Sequence, residues 1–206
     1  SEYKNLAFSS EPMIALYKEA VRAGSHEMPV CITGEPGTEK KAIALLIHKE
    51  SEFSKGPFVK FDFRSVDSYE IDDFLFDTRK MLPGKTVIQR AALGTLYLEN
   101  IENLRLSVQR KLIEIITKFE TELLKSGSKP SDSKKFRFIF STSANLEDLM
   151  RNGTIDEEFY FLISSSRIRV PSIDERADDT PKIAEEMLNK VNKLLRQSVG
   201  FGEKKF

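Results

Sequence analysis

Short apolar runs alternate with longer amphipathic stretches along the whole chain. Met13 to Ala23 places apolar residues at helical spacing behind Ser10 and Glu11 and stops at Gly24, which predicts a first helix. Met28 to Thr33 is a continuous apolar run of strand length, and Lys40 to Glu50 reads as a helix behind it. Pro57 to Phe63 alternates toward its end, as a strand does. Asp72 to Phe76 predicts a short helix, and Thr78 to Lys85, with Pro83-Gly84, a loop. Gly94 to Ile101 is a strand ending in polar residues, and Ser107 to Leu124 a long amphipathic helix. Lys125 to Lys135 has the Ser, Gly and Lys content of a flexible segment. Phe136 to Ser143 is another strand, Leu146 to Met150 and Asp156 to Phe161 are short helices, and Arg167 to Val170 is a short strand before Pro171. Thr180 to Gln197 is a final amphipathic helix, followed by a frayed tail from Ser198 to Phe206.

Strands alternating with helices predict an α/β domain, a parallel sheet covered by helices on both faces. In such sheets the ligand site lies at the carboxyl ends of the strands. The polar residues at those ends are Gly34 to Lys40, Glu99-Asn100 and Thr142-Ser143, so three segments are expected to converge on one site.

Composition narrows the classes. With 206 residues, 40% of them hydrophobic and 31% charged, the chain can bury a core. Thirty-two basic residues balance thirty-two acidic ones, so bulk charge attracts neither nucleic acid nor membrane. The Lys-rich stretches Lys125–Lys135 and Arg79–Lys85 read as solvated loops, with nucleic-acid contact as the alternative. Cys31, the one cysteine, lies in an apolar run and is expected to be structural. His26 and His48 accompany no metal-ligand set and are expected to pack or to face solvent. No apolar run reaches the ~18 residues of a membrane span, and no signal-peptide layout opens the chain; the expectation is a cytoplasmic protein without membrane contact.

The chemistry concentrates in Gly34-Glu35-Pro36-Gly37-Thr38-Glu39-Lys40-Lys41. A phosphate-binding loop of the form G-x-x-x-x-G-K-[ST] follows a buried strand and opens a helix, and its backbone N–H groups and lysine hold phosphates. Gly34, Gly37 and Lys40 are in place, but Glu39 stands where the loop needs glycine and Lys41 where it has a hydroxyl. The bland alternative is a strand-to-helix turn with no ligand. Like charges ~4 Å apart at an effective dielectric of ~20 repel by about 4 kcal/mol, so Glu39 opposes a triphosphate. A carboxylate also suits the positive end of an empty helix. Glu39 is therefore expected to act as a built-in anion in the phosphate site.

Taken together, the chain resembles the AAA+ central domain of bacterial sigma-54-dependent transcription activators, from about Leu6 to Glu186. Ser10-Glu11-Pro12-Met13 is similar to the family's Ser-x-x-Met opening. Its loop G-E-S-G-T-G-K-E matches at Gly34, Glu35, Gly37, Thr38 and Lys40. Ala44 to His48, Pro57-Phe58-Val59, Gly94 to Ile101, Gln109 to Ile113, and Asn145 to Ile163 resemble further family motifs in order. In Pro171 to Pro181 the matches are Arg176, Asp179 and Pro181.

The resemblance implies a P-loop AAA+ fold: a five-stranded parallel sheet flanked by helices in residues 1–172, and a partial lid helix and tail in 173–206. It implies ATP or ADP with magnesium as cofactor, held by Gly34, Glu35, Gly37, Thr38, Glu39, Lys40 and Lys41, with Glu99 on the metal. Thr142, Ser143 and Arg176 take the places of sensing residues. The departures fall on hydrolysis. The family's acidic pair D-E is Glu99-Asn100, and an amide cannot accept a proton. The two arginine-finger positions hold Asp156 and Leu162, and the first arginine of P-L-R-x-R is Asp174. The sigma-contacting motif G-A-F-T-G-A is absent from the shortened stretch Asp77 to Leu93. The expected protein is a degenerate member: an interaction and oligomerisation module of a two-component-like regulator, with poor or no nucleotide binding. A signal-receiving or DNA-binding domain is expected outside this chain. The alternatives are an active ATPase using Lys40 on the phosphates and Glu99 on magnesium, and a P-loop kinase or other nucleotide-binding protein outside this family.

Overall fold

The computed structural model describes residues 10–76, 86–126 and 136–199. The loop expected at Thr78–Lys85, most of the flexible segment expected at Lys125–Lys135 and most of the expected tail lie outside these residues. Five parallel strands form one sheet in the order β2-β3-β4-β1-β5: β1 (Val30–Thr33), β2 (Phe58–Asp62), β3 (Thr95–Glu99), β4 (Arg137–Thr142) and β5 (Arg167–Arg169). Between and around them run α1 (Glu11–Gly24), α2 (Lys40–Lys49), α3 (Ile71–Phe76), α4 (Val87–Arg90), α5 (Leu106–Ser126), α6 (Leu146–Arg151), α7 (Glu157–Ser164) and α8 (Thr180–Val199).

The three inner strands are buried on both faces, as a parallel sheet between helical layers requires. Successive side chains then serve different cores. Cys31, Leu96, Leu98, Phe138 and Phe140 join the cluster that includes Val108 and Leu112 of α5 and Phe159 and Ile163 of α7. Val30, Ile32, Tyr97 and Ile139 face the other way, onto Met13, Leu16 and Ala20 of α1 and Ile43 and Ile47 of α2. The period-2 alternation that faint patterning left ambiguous in a wholly apolar run is thus real, but both phases are apolar.

One local feature was not anticipated. Helix α4 begins at a capping box: the Thr86 hydroxyl accepts from the Gln89 N–H, and the Gln89 side chain accepts from the Thr86 N–H. The T-x-x-Q spacing carries that signal in the sequence. Helix α8 leaves Met187, Leu188 and Val191 exposed, so this part of its apolar face does not pack on the body.

Gly56 and Gly94 let two chain segments cross. A Cβ on Gly94 would strike the Pro57 carbonyl oxygen, and one on Gly56 would strike that of Leu93. This crossing sets where β2 and β3 begin, and Thr95 N–H donates to Pro57 O at 2.8 Å. Arg137, the register partner of Thr95, is buried at this same end of the sheet. Its guanidinium donates to the carbonyls of Ala23 and Gly24, capping the negative end of α1.

His48 is buried in α2, with Nδ1 2.8 Å from the Thr95 hydroxyl and its ring tilted on Phe58. Burial, Lys49 and Arg137 lower its pKa. A neutral imidazole is therefore favoured on folding. The contribution to stability is complete above the unfolded value of about 6.5 and is lost as pH falls from there through the folded pKa. Urea unfolding of the wild type is expected to show falling stability below about pH 6.5, and His48→Gln a shallower fall. An identical slope in the variant would assign the effect elsewhere, for example to His26, which burial, Arg137 and Arg22 shift in the same direction.

Candidate functional site

The carboxyl end of β1 leads into a turn, residues 34–39, and then into α2. Gly34 is squeezed: a Cβ there would lie 2.9 Å from both the Thr38 hydroxyl and the Val170 carbonyl oxygen. Gly37 has φ +84° and open space beside it. Thr38 donates from its hydroxyl to Glu35 O at 2.8 Å, closing the turn on itself. Glu39 has φ 60° and ψ 35°, the left-handed region, directly before the first residue of α2. The backbone has therefore kept the conformation of a glycine at a position that carries a glutamate.

Glu39 takes no capping part at the helix end. Its side chain is exposed and makes no capping hydrogen bond to the first turn. A capping side chain reaches the N–H groups of the second or third helical residue from extended backbone, and left-handed backbone does not present it that way.

Lys40 is buried and its ammonium is fully engaged. It donates to Gly34 O at 2.9 Å, to Glu35 O at 3.0 Å and to the Ser143 hydroxyl at 2.8 Å. Three bonds use all three donors of an ammonium. Burial lowers its pKa, the carboxylates of Glu102 and then Glu99 oppose that shift, and Arg64 adds to it.

Of the expected residues, then, the structure joins Lys40 with Gly34, Glu35 and Ser143. Thr142 is buried and its hydroxyl accepts from Ala144 N–H at 3.0 Å. Arg176 is also buried, but its bonded partner is Met13 of α1, with Nη1 3.4 Å from the sulfur. Nearby, Asp179 accepts from the N–H and hydroxyl of Ser10, at 3.0 and 2.6 Å, and ties the foot of α8 to α1.

The end of β3 is occupied by pairs between strands. Glu99 bridges to Lys60 at 2.5 Å and accepts from the Tyr97 hydroxyl at 3.3 Å. Asn100 is buried, in left-handed backbone, and its amide donates to Asp62 Oδ1 at 2.7 Å. Partial burial would raise the Asp62 pKa. The Arg64 N–H, the Asn100 amide and the Arg64 guanidinium outweigh it and hold the carboxyl below the ordinary range.

Asp62 and Lys60 were not expected at the site. Both sit on β2, and Asp62 pairs in register with Glu99. Strand order alone reveals this. Cys31 and His48 are buried within the sheet and α2, and burial pushes the Cys31 thiol up to about 12, with Arg167 opposing and Glu102 adding to the shift.

The loop shape and the helix end fit a phosphate group, since the backbone cradle survives and space opens at Gly37. The donor set does not fit magnesium. Glu99 is spent on Lys60, Asn100 presents an amide N–H, and no group of three metal-binding side chains occurs among the described residues. No helix among those residues is long and apolar enough to cross a membrane.

A five-stranded parallel sheet in this order, with a glycine-lysine loop between β1 and α2, defines a P-loop AAA+ domain. The solved structures agree. NtrX from Brucella abortus in complex with ATP superposes with TM-score 0.75 at 24% identity, over 90% of this chain and 43% of that one. Its complex with ADP gives 0.73 at 26% identity, over 86% and 40%. The chain belongs to the Sigma-54 interaction domain family, whose model matches residues 6–169. Among curated relatives it is 29% identical to the nitrogen fixation protein VnfA of Azotobacter vinelandii, over 92% of this chain and 37% of that protein. It is 30% identical to a putative NtrX-like response regulator of Rickettsia conorii, over 86% and 38%. With the regulatory protein AtoC of Escherichia coli the figures are 26% identity, 92% and 42%. The chain thus spans well under half the length of these three relatives.

The left-handed Glu39 gives a stability prediction. Glu39→Gly removes a strain of about 1–2 kcal/mol, partly offset by the greater freedom of glycine in the unfolded chain. The variant is expected to gain about 1 kcal/mol in urea unfolding. A loss of stability would show that the side chain contributes more than its backbone costs.

Proposed function

We propose that this chain is the AAA+ module of a bacterial transcription regulator that binds ATP or ADP weakly or not at all and does not hydrolyse ATP efficiently. It acts through contacts with further copies or with other regulator subunits. The observation that carries this is Asn100: where the family places its general base, a buried amide donates to Asp62 at 2.7 Å. Loss of a general base costs about 10²–10⁴ in rate. The finger positions point the same way. Asp156 caps α7 by accepting from Glu158 N–H, and Leu162 is apolar; an arginine finger is worth about 10³–10⁵. The commitment of Lys40 to its own loop and to Ser143 means a phosphate must displace bonds already made.

Membership of the Sigma-54 interaction family makes transcription regulation the setting. Contact with sigma-54 itself is not part of the proposal, because residues 77–93 contain no G-A-F-T-G-A motif. DNA contact is assigned to another domain of the regulator. Response-regulator character is supported by the NtrX-like relatives alone.

A second reading is favoured by Asp62. Its carboxylate stands beside the Asn100 amide, so β2 supplies a carboxylate where Asn100 has none, and a working ATPase would use it with Lys40 and Glu99. Its lowered pKa makes it a weak proton acceptor, which places this reading second. Phosphate release from magnesium-ATP separates the two. Under the first, release stays at the buffer rate and Lys40→Ala changes nothing. Turnover above that rate, abolished by both Lys40→Ala and Asp62→Asn, would establish the second.

A further inference from the structure

Lys60 and Asp62 are alternate residues of β2, as Tyr97 and Glu99 are of β3, and the register pairs Lys60 with Tyr97 and Asp62 with Glu99. All four side chains therefore project from one face of the sheet. It is the face covered by α2, since Tyr97 packs in the cluster that holds Ile43 and Ile47. Glu99 stands where the family resemblance puts the metal, and both its oxygens are taken. Oε2 meets the Lys60 ammonium at 2.5 Å, and Oε1 accepts from the Tyr97 hydroxyl at 3.3 Å. The Glu99 side chain is only 16% exposed, so water screens its charge poorly. On Asp62 the donors converge on Oδ1: the Asn100 amide at 2.7 Å, the Arg64 N–H at 3.0 Å and the Arg64 guanidinium at 3.5 Å. The strand end thus balances its own charge, with a cation beside each carboxylate.

We propose that Lys60 is the resident cation of this site: its ammonium takes the place at Glu99 that a divalent metal would need, and the strand end accepts no magnesium. A hard divalent ion is held by oxygen ligands, carboxylates above all, that bring negative charge to it. Here an incoming ion must break the Lys60–Glu99 bond and then sit close to the displaced ammonium, a like charge. The lysine stem reaches Glu99 diagonally, from one register pair to the next, so the contact is set by the pairing of β2 with β3 rather than by the phosphate-type loop. Without the ammonium, Glu99 and Asp62 Oδ2, which takes none of the bonds converging on Oδ1, are two carboxylate ligands on neighbouring strands of one face.

Manganese(II), a spectroscopic stand-in for magnesium, is titrated into the full chain, and the free ion is counted by its electron paramagnetic resonance signal. The proteins are wild type, Glu99→Gln, Lys60→Met, Lys60→Gln, Lys60→Arg and Lys60→Met with Glu99→Gln. Two neutral replacements at Lys60 guard against one failing to fold, which a urea melt reports. Wild type is expected to bind manganese no tighter than Glu99→Gln does. Lys60→Met and Lys60→Gln are expected to bind it about tenfold or more tighter than wild type, with magnesium competing for the same site. Lys60→Arg, which keeps the charge, is expected to match wild type, and the double variant to fall back to it. A merely structural role for Lys60 would not follow charge in this way. Folded Lys60→Met and Lys60→Gln that bind no tighter than wild type overturn the proposal. So does a wild type that binds manganese at micromolar concentration and loses it in Glu99→Gln. The site is that of the weak-binding reading, but no nucleotide is present, so tight binding of ADP would overturn that reading alone.

Discussion

Parallel pairing of β1 with β4, buried on both faces, is the constraint from which the site follows. It brings the loop after β1 beside the end of β4, and there Lys40 closes the gap with one bond to Ser143 and two to its own loop. The ammonium is buried, so these bonds are made in a medium where leaving any donor unpaired is expensive. The same burial makes the surrounding carboxylates matter. Glu99 and Glu102 both act on Lys40, yet neither bonds to it, and Glu99 is held by Lys60 and Tyr97 instead.

Backbone geometry and side-chain chemistry have separated here. Glu39 and Asn100 both occupy left-handed backbone, at the two positions on which phosphate and water chemistry would depend. The turn that follows each residue bonds back to it: Ala42 N–H donates to Glu39 O at 2.8 Å, and Asn103 N–H to Asn100 O at 3.1 Å. A scaffold that over-determines its turns in this way tolerates residues that the turns themselves disfavour. The backbone path superposes on that of NtrX with TM-scores of 0.75 and 0.73.

The relation between β2 and β3 is the clearest gain from three dimensions. Along the chain Asp62 and Asn100 are 38 residues apart, and nothing in either local pattern connects them. In the sheet Asp62 and Glu99 are register partners, and the amide-carboxylate bond between Asn100 and Asp62 follows. Arg176 illustrates the reverse. Its motif position is that of a sensing residue; the turn Asp174–Asp179 buries it against Met13, and Asp179 binds Ser10. Its immediate contacts tie the foot of α8 to α1.

The sequence by itself determined the elements and their order, because hydrophobic period, glycine placement and capping chemistry act within a few residues. Val30 to Thr33, Gly34 to Lys40 and Leu96 to Asn100 announced a strand, a phosphate-type turn and a polar strand end, and the ordered motifs named the family. Only the tertiary structure decided which polar groups meet. Hydrogen bonds and ion pairs are short-ranged, and whether Lys40 reaches Ser143 or Glu99 reaches Lys60 depends on strand order and register. These are set by the packing of two apolar faces over the whole sheet, a sum over many distant residues that no local pattern contains.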